Sequence, residues 1–171
     1  MSHALRTTLV AAGLALLSAA LLVALARPAH AAGSAEVRFV EPERFSDAGR
    51  SAVDRERALA SLAAHLKELA RKLPDGQALK VEVLDVDLAG ELWPRRGHDV
   101  RVLRGSADAP HVRLRWTLEQ AGSLMKKGEQ HLSDLGYLTN RPGLASGLDS
   151  DLPYEKRLLT QWFREQVEGA R

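Results

Sequence analysis

The stretch Leu79-Lys80-Val81-Glu82-Val83-Leu84-Asp85-Val86-Asp87-Leu88 decides how this chain is built. Leu79, Val81 and Val83 alternate with Lys80 and Glu82, the period of a strand with one buried face. After Val83 the phase flips. Leu84, Val86 and Leu88 become the apolar positions, and Asp85 and Asp87 take the odd ones. A β-bulge at Val83-Leu84 accounts for this without any ligand: it puts Leu79, Val81, Val83, Leu84, Val86 and Leu88 on the core face and both aspartates in solvent. The alternative is functional. Asp85 and Asp87, at i and i+2, point to one side of the strand and can converge on a cation, with Glu91, His98 or Asp99 completing an oxygen-rich or mixed site.

On the N-terminal side, Glu36 to Val40 alternates as a short strand. From about Gly49 to Leu73 the period changes, and Leu59, Leu62, Leu66, Leu69 and Leu73 form one apolar helical stripe that Pro74-Asp75-Gly76 stops. On the C-terminal side, Trp93-Pro94-Arg95-Arg96-Gly97 reads as a loop, and Asp99 to Arg104 as a short third strand. His111 to Glu119 is the clearest strand, with Val112, Leu114, Trp116 and Leu118 inward and His111, Arg113, Arg115 and Thr117 outward. Ala121-Gly122-Ser123 turns it into a partner strand over Leu124 to Leu132. Thr139 to Leu152 is rich in Gly, Ser, Pro and Asp and reads as a loop. A last helix starts near Pro153, with Tyr154, Leu158, Leu159, Trp162, Phe163 and Val167 on its apolar face. The expected fold is α+β: a two-layer sandwich of one mostly antiparallel sheet of about five strands, with both helices on one face.

The first residues differ from all this. Arg6 precedes an uncharged run from Leu9 to Ala26, Arg27-Pro28 ends it, and Ala29-His30-Ala31 has the small-x-small form of a cleavage site. Residues 1–31 are read as a secretory signal peptide and 32–171 as a single domain, placed in the periplasm and touching the membrane only through the signal before cleavage. An uncleaved anchor is the other reading, since the run sits near the lower limit for crossing a bilayer. The chain has 171 residues and no cysteine, which excludes disulfides, a lipidated cysteine, thiolate catalysis and Cys-type zinc or iron–sulfur sites. Its net charge of +2 comes from Arg6 and Arg27, so the remainder is formally neutral and does not call for nucleic acid.

The string Asp85-Val86-Asp87-Leu88-Ala89-Gly90-Glu91, the strand Asp99-Val100-Arg101-Val102, the stretch Glu129 to Leu135 and the closing Tyr154-Glu155-Lys156-Arg157 with Trp162-Phe163 resemble a bacterial exported family known as domain of unknown function three thousand and sixteen. The resemblance spans the chain after the signal, in the same order. It implies export and a single domain, and it carries no activity, ligand or catalytic residue with it.

Other motifs read as structural. Ser123-Leu124-Met125-Lys126 matches S-x-x-K but lies at a hairpin turn without the companion elements that chemistry needs. The His111, Arg113, Arg115 stripe suits an anionic envelope component, or simply a solvated, salt-bridged sheet face. His65 flanks the leucine stripe without an acidic or histidine partner at i+4. His131 beside Asp134 suggests at most a carboxylate orienting an imidazole. No nucleophile-plus-base arrangement is found. The expected function is therefore a non-catalytic binding or accessory module of the envelope, without cofactor. Its contact with an envelope protein or small polar ligand would run through Asp85, Asp87, Glu91, Trp93, Arg95, His98 and Asp99. The alternative is a divalent-metal-dependent hydrolase, with Asp85, Asp87 and His98 as ligands and Glu91 as general base.

Overall fold

The phase flip is a β-bulge. In the computed structural model, strand β2 (Gln77–Asp87) pairs with β5 (His111–Gln120), and the register shifts between Val83, opposite Leu114, and Asp85, opposite Arg113. Leu79, Val81, Val83, Val86 and Leu88 are buried as expected. Leu84 is the correction: it is only half-buried, because the inserted residue belongs to neither phase of the strand. The described residues are 33–96, 98–139 and 151–170, with 98, 99 and 170 described in backbone only. The signal expected over 1–31, and residues 140–150 of the expected loop, lie outside them.

β2 is an inner strand. It runs parallel to β1 (Ser34–Phe39) and antiparallel to β5, which in turn pairs with β6 (Ser123–Ser133), so the sheet order is β1-β2-β5-β6. A parallel β1–β2 pair requires a long crossover, and helix α1 (Ala52–Ala70) supplies it. Ser51 caps that helix, its Oγ accepting from the Asp54 N–H at 3.1 Å. The helix ends at Ala70 rather than Leu73, yet Leu73 stays buried. The β5–β6 turn uses Ala121 (φ 49°) and Gly122 (φ 82°), the left-handed pair that a two-residue hairpin turn needs.

Helix α2 (Pro153–Trp162) continues through a π turn at Phe163–Val167. Leu59, Leu62, Leu66 and Leu69 from α1, and Leu158, Leu159, Trp162 and Phe163 from α2, join the inward residues of β2 and β5 in one core. Trp116 and Trp162 meet edge-on at 5.9 Å, and both indoles donate to Gln130 Oε1, at 2.7 and 3.3 Å. His65 turns out to join the two helices: its Nε2 lies 2.9 Å from Lys156 O and 2.8 Å from Thr160 Oγ1. Burial lowers its pKa below the usual imidazole value.

The fold is α+β, but the expected single five-stranded sheet is corrected. Four strands make the main sheet, and two more, β3 (Glu91–Arg95) and β4 (His98–Val102), form a separate antiparallel hairpin. The expected loop at Trp93–Gly97 is mostly strand β3. Pro94 hid it, since proline reads as a strand breaker, yet a two-stranded ladder has only edges and tolerates one. On the outer face of the main sheet, Arg115 pairs with Glu82 and Glu129 at 3.3 Å each, and Lys80 with Glu119 at 2.8 Å. Arg115 thus belongs to an ion-paired face.

Candidate binding site at the hairpin

A lone two-stranded hairpin is marginal in water, so the β3–β4 unit needs an anchor. The chain turns into it at Gly90, which has φ 82° and donates its N–H to Asp108 O at 2.9 Å. A Cβ there would stand 2.5 Å from Leu103 Cδ2 and 2.7 Å from Val102 O, so only glycine seats the hairpin. Arg101, opposite Leu92 in the ladder, reaches under the base. Its Nη1 donates to the carbonyls of Gly90 (2.6 Å), Ala89 (3.2 Å) and Leu88 (3.3 Å), and its Nη2 meets Asp47 Oδ2 at 2.9 Å. Asp47 is itself stitched to β2: its N–H donates to Val86 O at 3.0 Å, and its O accepts from Leu88 N–H at 2.9 Å.

Two buried side chains complete the anchor. Glu155, 2% exposed, accepts the Ala89 N–H on Oε1 at 2.7 Å, and burial raises its carboxyl above the usual range. Tyr137 is fully buried and donates its hydroxyl to Asp108 Oδ1 at 2.7 Å; burial first, and that hydrogen bond second, push its phenol up to about 12. Asp108 Oδ2 accepts the Arg104 N–H at 2.7 Å. Arg157 binds Asp134 and the Tyr137 carbonyl.

The residues singled out from sequence separate into four groups. Asp85 is a structural staple: its carboxylate accepts both the N–H and the Oγ–H of Ser46, at 2.8 Å each. Asp87, expected in solvent, is half-buried opposite His111. Desolvation raises its pKa, with Asp47 and Asp85 adding to the rise and His111 opposing it. Glu91 and Trp93 share one face of β3, where Glu91 Oε2 accepts from Trp93 Nε1 at 3.2 Å and meets Arg104 Nη2 at 3.1 Å. The Arg104 guanidinium lies 4.7 Å from the centre of the Trp93 ring. Arg95 is exposed farther along the same face. His98 and Asp99 pair through backbone with Arg95 and Pro94.

Asp87 and Glu91 line a hollow of about 390 Å³ with Asp47, Asp108 and Arg104. Leu92, pointing the other way, lines a second hollow of about 350 Å³ with Arg50, Arg57 and Arg101. Among the described residues, no group of three His, Asp or Glu side chains comes together as a metal would require. Asp85 is hydrogen-bonded to Ser46, and Glu91 to Trp93 and ion-paired with Arg104, while the side chains of His98 and Asp99 lie outside what is described. Asp47, Arg101, Arg104, Asp108 and Glu155 were not picked out from sequence as site residues. Only Glu155 carried a signal: Leu158 and Leu159 follow it at i+3 and i+4, the spacing of one helix face.

The architecture is that of an α+β protein whose mixed sheet is covered by two helices and which projects a small hairpin. The chain belongs to the family described as protein of unknown function (DUF3016), which it matches over residues 33–165. No curated protein and no solved structure matches it.

Proposed function

We propose that this protein is an exported, periplasmic module that binds rather than catalyses, contacting an envelope protein or a small polar ligand through the outer face of the β3–β4 hairpin. One observation carries the reading. Trp93 is 48% exposed, yet its indole N–H is held by Glu91 and its ring by Arg104. Tryptophan and arginine dominate binding energy at interfaces, and side chains already ordered lose little entropy on docking. The adjoining hollow, with Asp47, Asp87, Glu91 and Asp108 against Arg104, favours a polar or cationic group beside that anchor. Export rests on the signal-like features of residues 1–31.

The test is a photo-crosslinking amino acid placed at Arg95 in living cells, with a control at Lys67 on the exposed side of α1. A product from Arg95, absent from Lys67 and lost on Trp93→Ala, is expected. Equal labelling from both positions, or a product indifferent to Trp93→Ala, overturns the reading.

A further inference from the structure

β6 is one edge of the main sheet, and among the described residues it pairs with β5 alone. It is 11 residues long. A long free edge invites another strand, and proteins usually blunt such edges with lysine. Here the lysines have a match within the same strand. Laid antiparallel against a second copy about Gly128, Lys127 meets Glu129 twice by symmetry, and Lys126 meets Gln130. Moving the centre to Lys127 or Glu129 sets that residue against its own copy.

The faces agree as well. Gly128, Gln130 and Leu132 lie opposite Trp116, Leu114 and Val112 on the core side, while Lys127 and Glu129 lie opposite Thr117 and Arg115 on the outer side. Pairing about Gly128 joins inner to inner and outer to outer residues, so the helices of both copies stay on one side. Lys127 has no ion-pair partner among the described residues, and Glu129 commits only Oε2, to Arg115 at 3.3 Å. The strict ladder ends where the β5–β6 register shifts, between Lys126 and Leu124. There Leu124 and Met125, 57% and 50% exposed, come against the far end of the partner strand.

We infer that β6 is a self-complementary interface, through which two copies of this chain pair antiparallel about Gly128 into one continuous sheet. Its isologous symmetry closes the assembly at two. It is separate from the hairpin surface and stands whether or not that surface binds.

Analytical ultracentrifugation of the full chain should show a concentration-dependent dimer. Lys127→Glu or Glu129→Lys alone turns both attractive pairs repulsive and should weaken it roughly tenfold or more. An equimolar mixture of the two variants should recover dimerisation, because each chain then carries a single sign at both positions and meets the opposite sign on its partner. Recovery in the mixture also excludes misfolding as the cause of the single effects. A monomer at every concentration, a dimer indifferent to both substitutions, or a mixture that stays monomeric overturns the inference.

Discussion

The two halves of the Leu79–Gly90 stretch share one apolar core, but only the half after the bulge adds a polar grip. Before the bulge, Leu79, Val81 and Val83 join Leu62, Leu66 and Phe163 in that core. After it, Val86 and Leu88 still belong to the core, and the chain from Asp85 to Gly90 is held in addition by Ser46, Asp47, Arg101 and Glu155 through hydrogen bonds and charge. Apolar contact is non-directional and indifferent to proton concentration. A polar anchor is directional, so it places the hairpin in one orientation, and it answers to pH.

That contrast can be broken by experiment. Leu66→Ala, at a fully buried position, should cost about 3 kcal/mol or more, with the urea midpoint falling and protection lost across the whole domain. Arg101→Ala strips three carbonyls and Asp47 of a donor and should cost about 2 kcal/mol. Its mark is local: amide exchange across Glu91–Val102 should accelerate far more than in α1. Uniform loss in both variants would mean the two halves form one cooperative unit and the division fails.

The pH response sharpens the comparison. Burial holds the Glu155 carboxyl above its ordinary value of 4.5. The folded state therefore binds this proton more tightly than the unfolded one. The stability it contributes is full below the ordinary value and is lost as pH rises through the folded-state value. Glu155→Gln keeps an oxygen for the Ala89 N–H and cannot titrate. From acid to neutral pH, the wild type should lose stability relative to this variant, read from urea midpoints at each pH; parallel curves would place the anchor outside proton control. The smallest effect belongs to Trp93→Ala, which should change stability by no more than about 0.5 kcal/mol while abolishing the crosslink at Arg95. A large loss of stability would make Trp93 part of the anchor rather than of the contact surface.

Much of the main sheet was legible in the sequence. Period-two alternation in β2 and β5, the leucine stripe of α1 and the phase flip at Val83-Leu84 each reflect one buried face, and burial writes itself into local spacing. The hairpin was half-missed because Pro94 mimics a breaker and because charged side chains fill both of its strands. The site was less legible still. Asp85 and Asp87 look equivalent in sequence, yet Ser46, 39 residues away from Asp85, takes one of them, while the other is half-buried against His111. Glu155 shares a helix face with Leu158 and Leu159, which marks it for burial but not for the Ala89 amide it serves, and nothing near Arg101 in sequence announces its three carbonyls.

Local spacing was enough for the α+β class, the bulge and the apolar faces of both helices, because each depends on residues a few positions apart, and motifs spread along the chain marked the family. Long-range packing chose which charges became anchors, which aspartate became a staple, and that Trp93 stands ordered between Glu91 and Arg104. Those outcomes depend on groups far apart in the chain meeting at hydrogen-bond distance, and no local period records such a meeting.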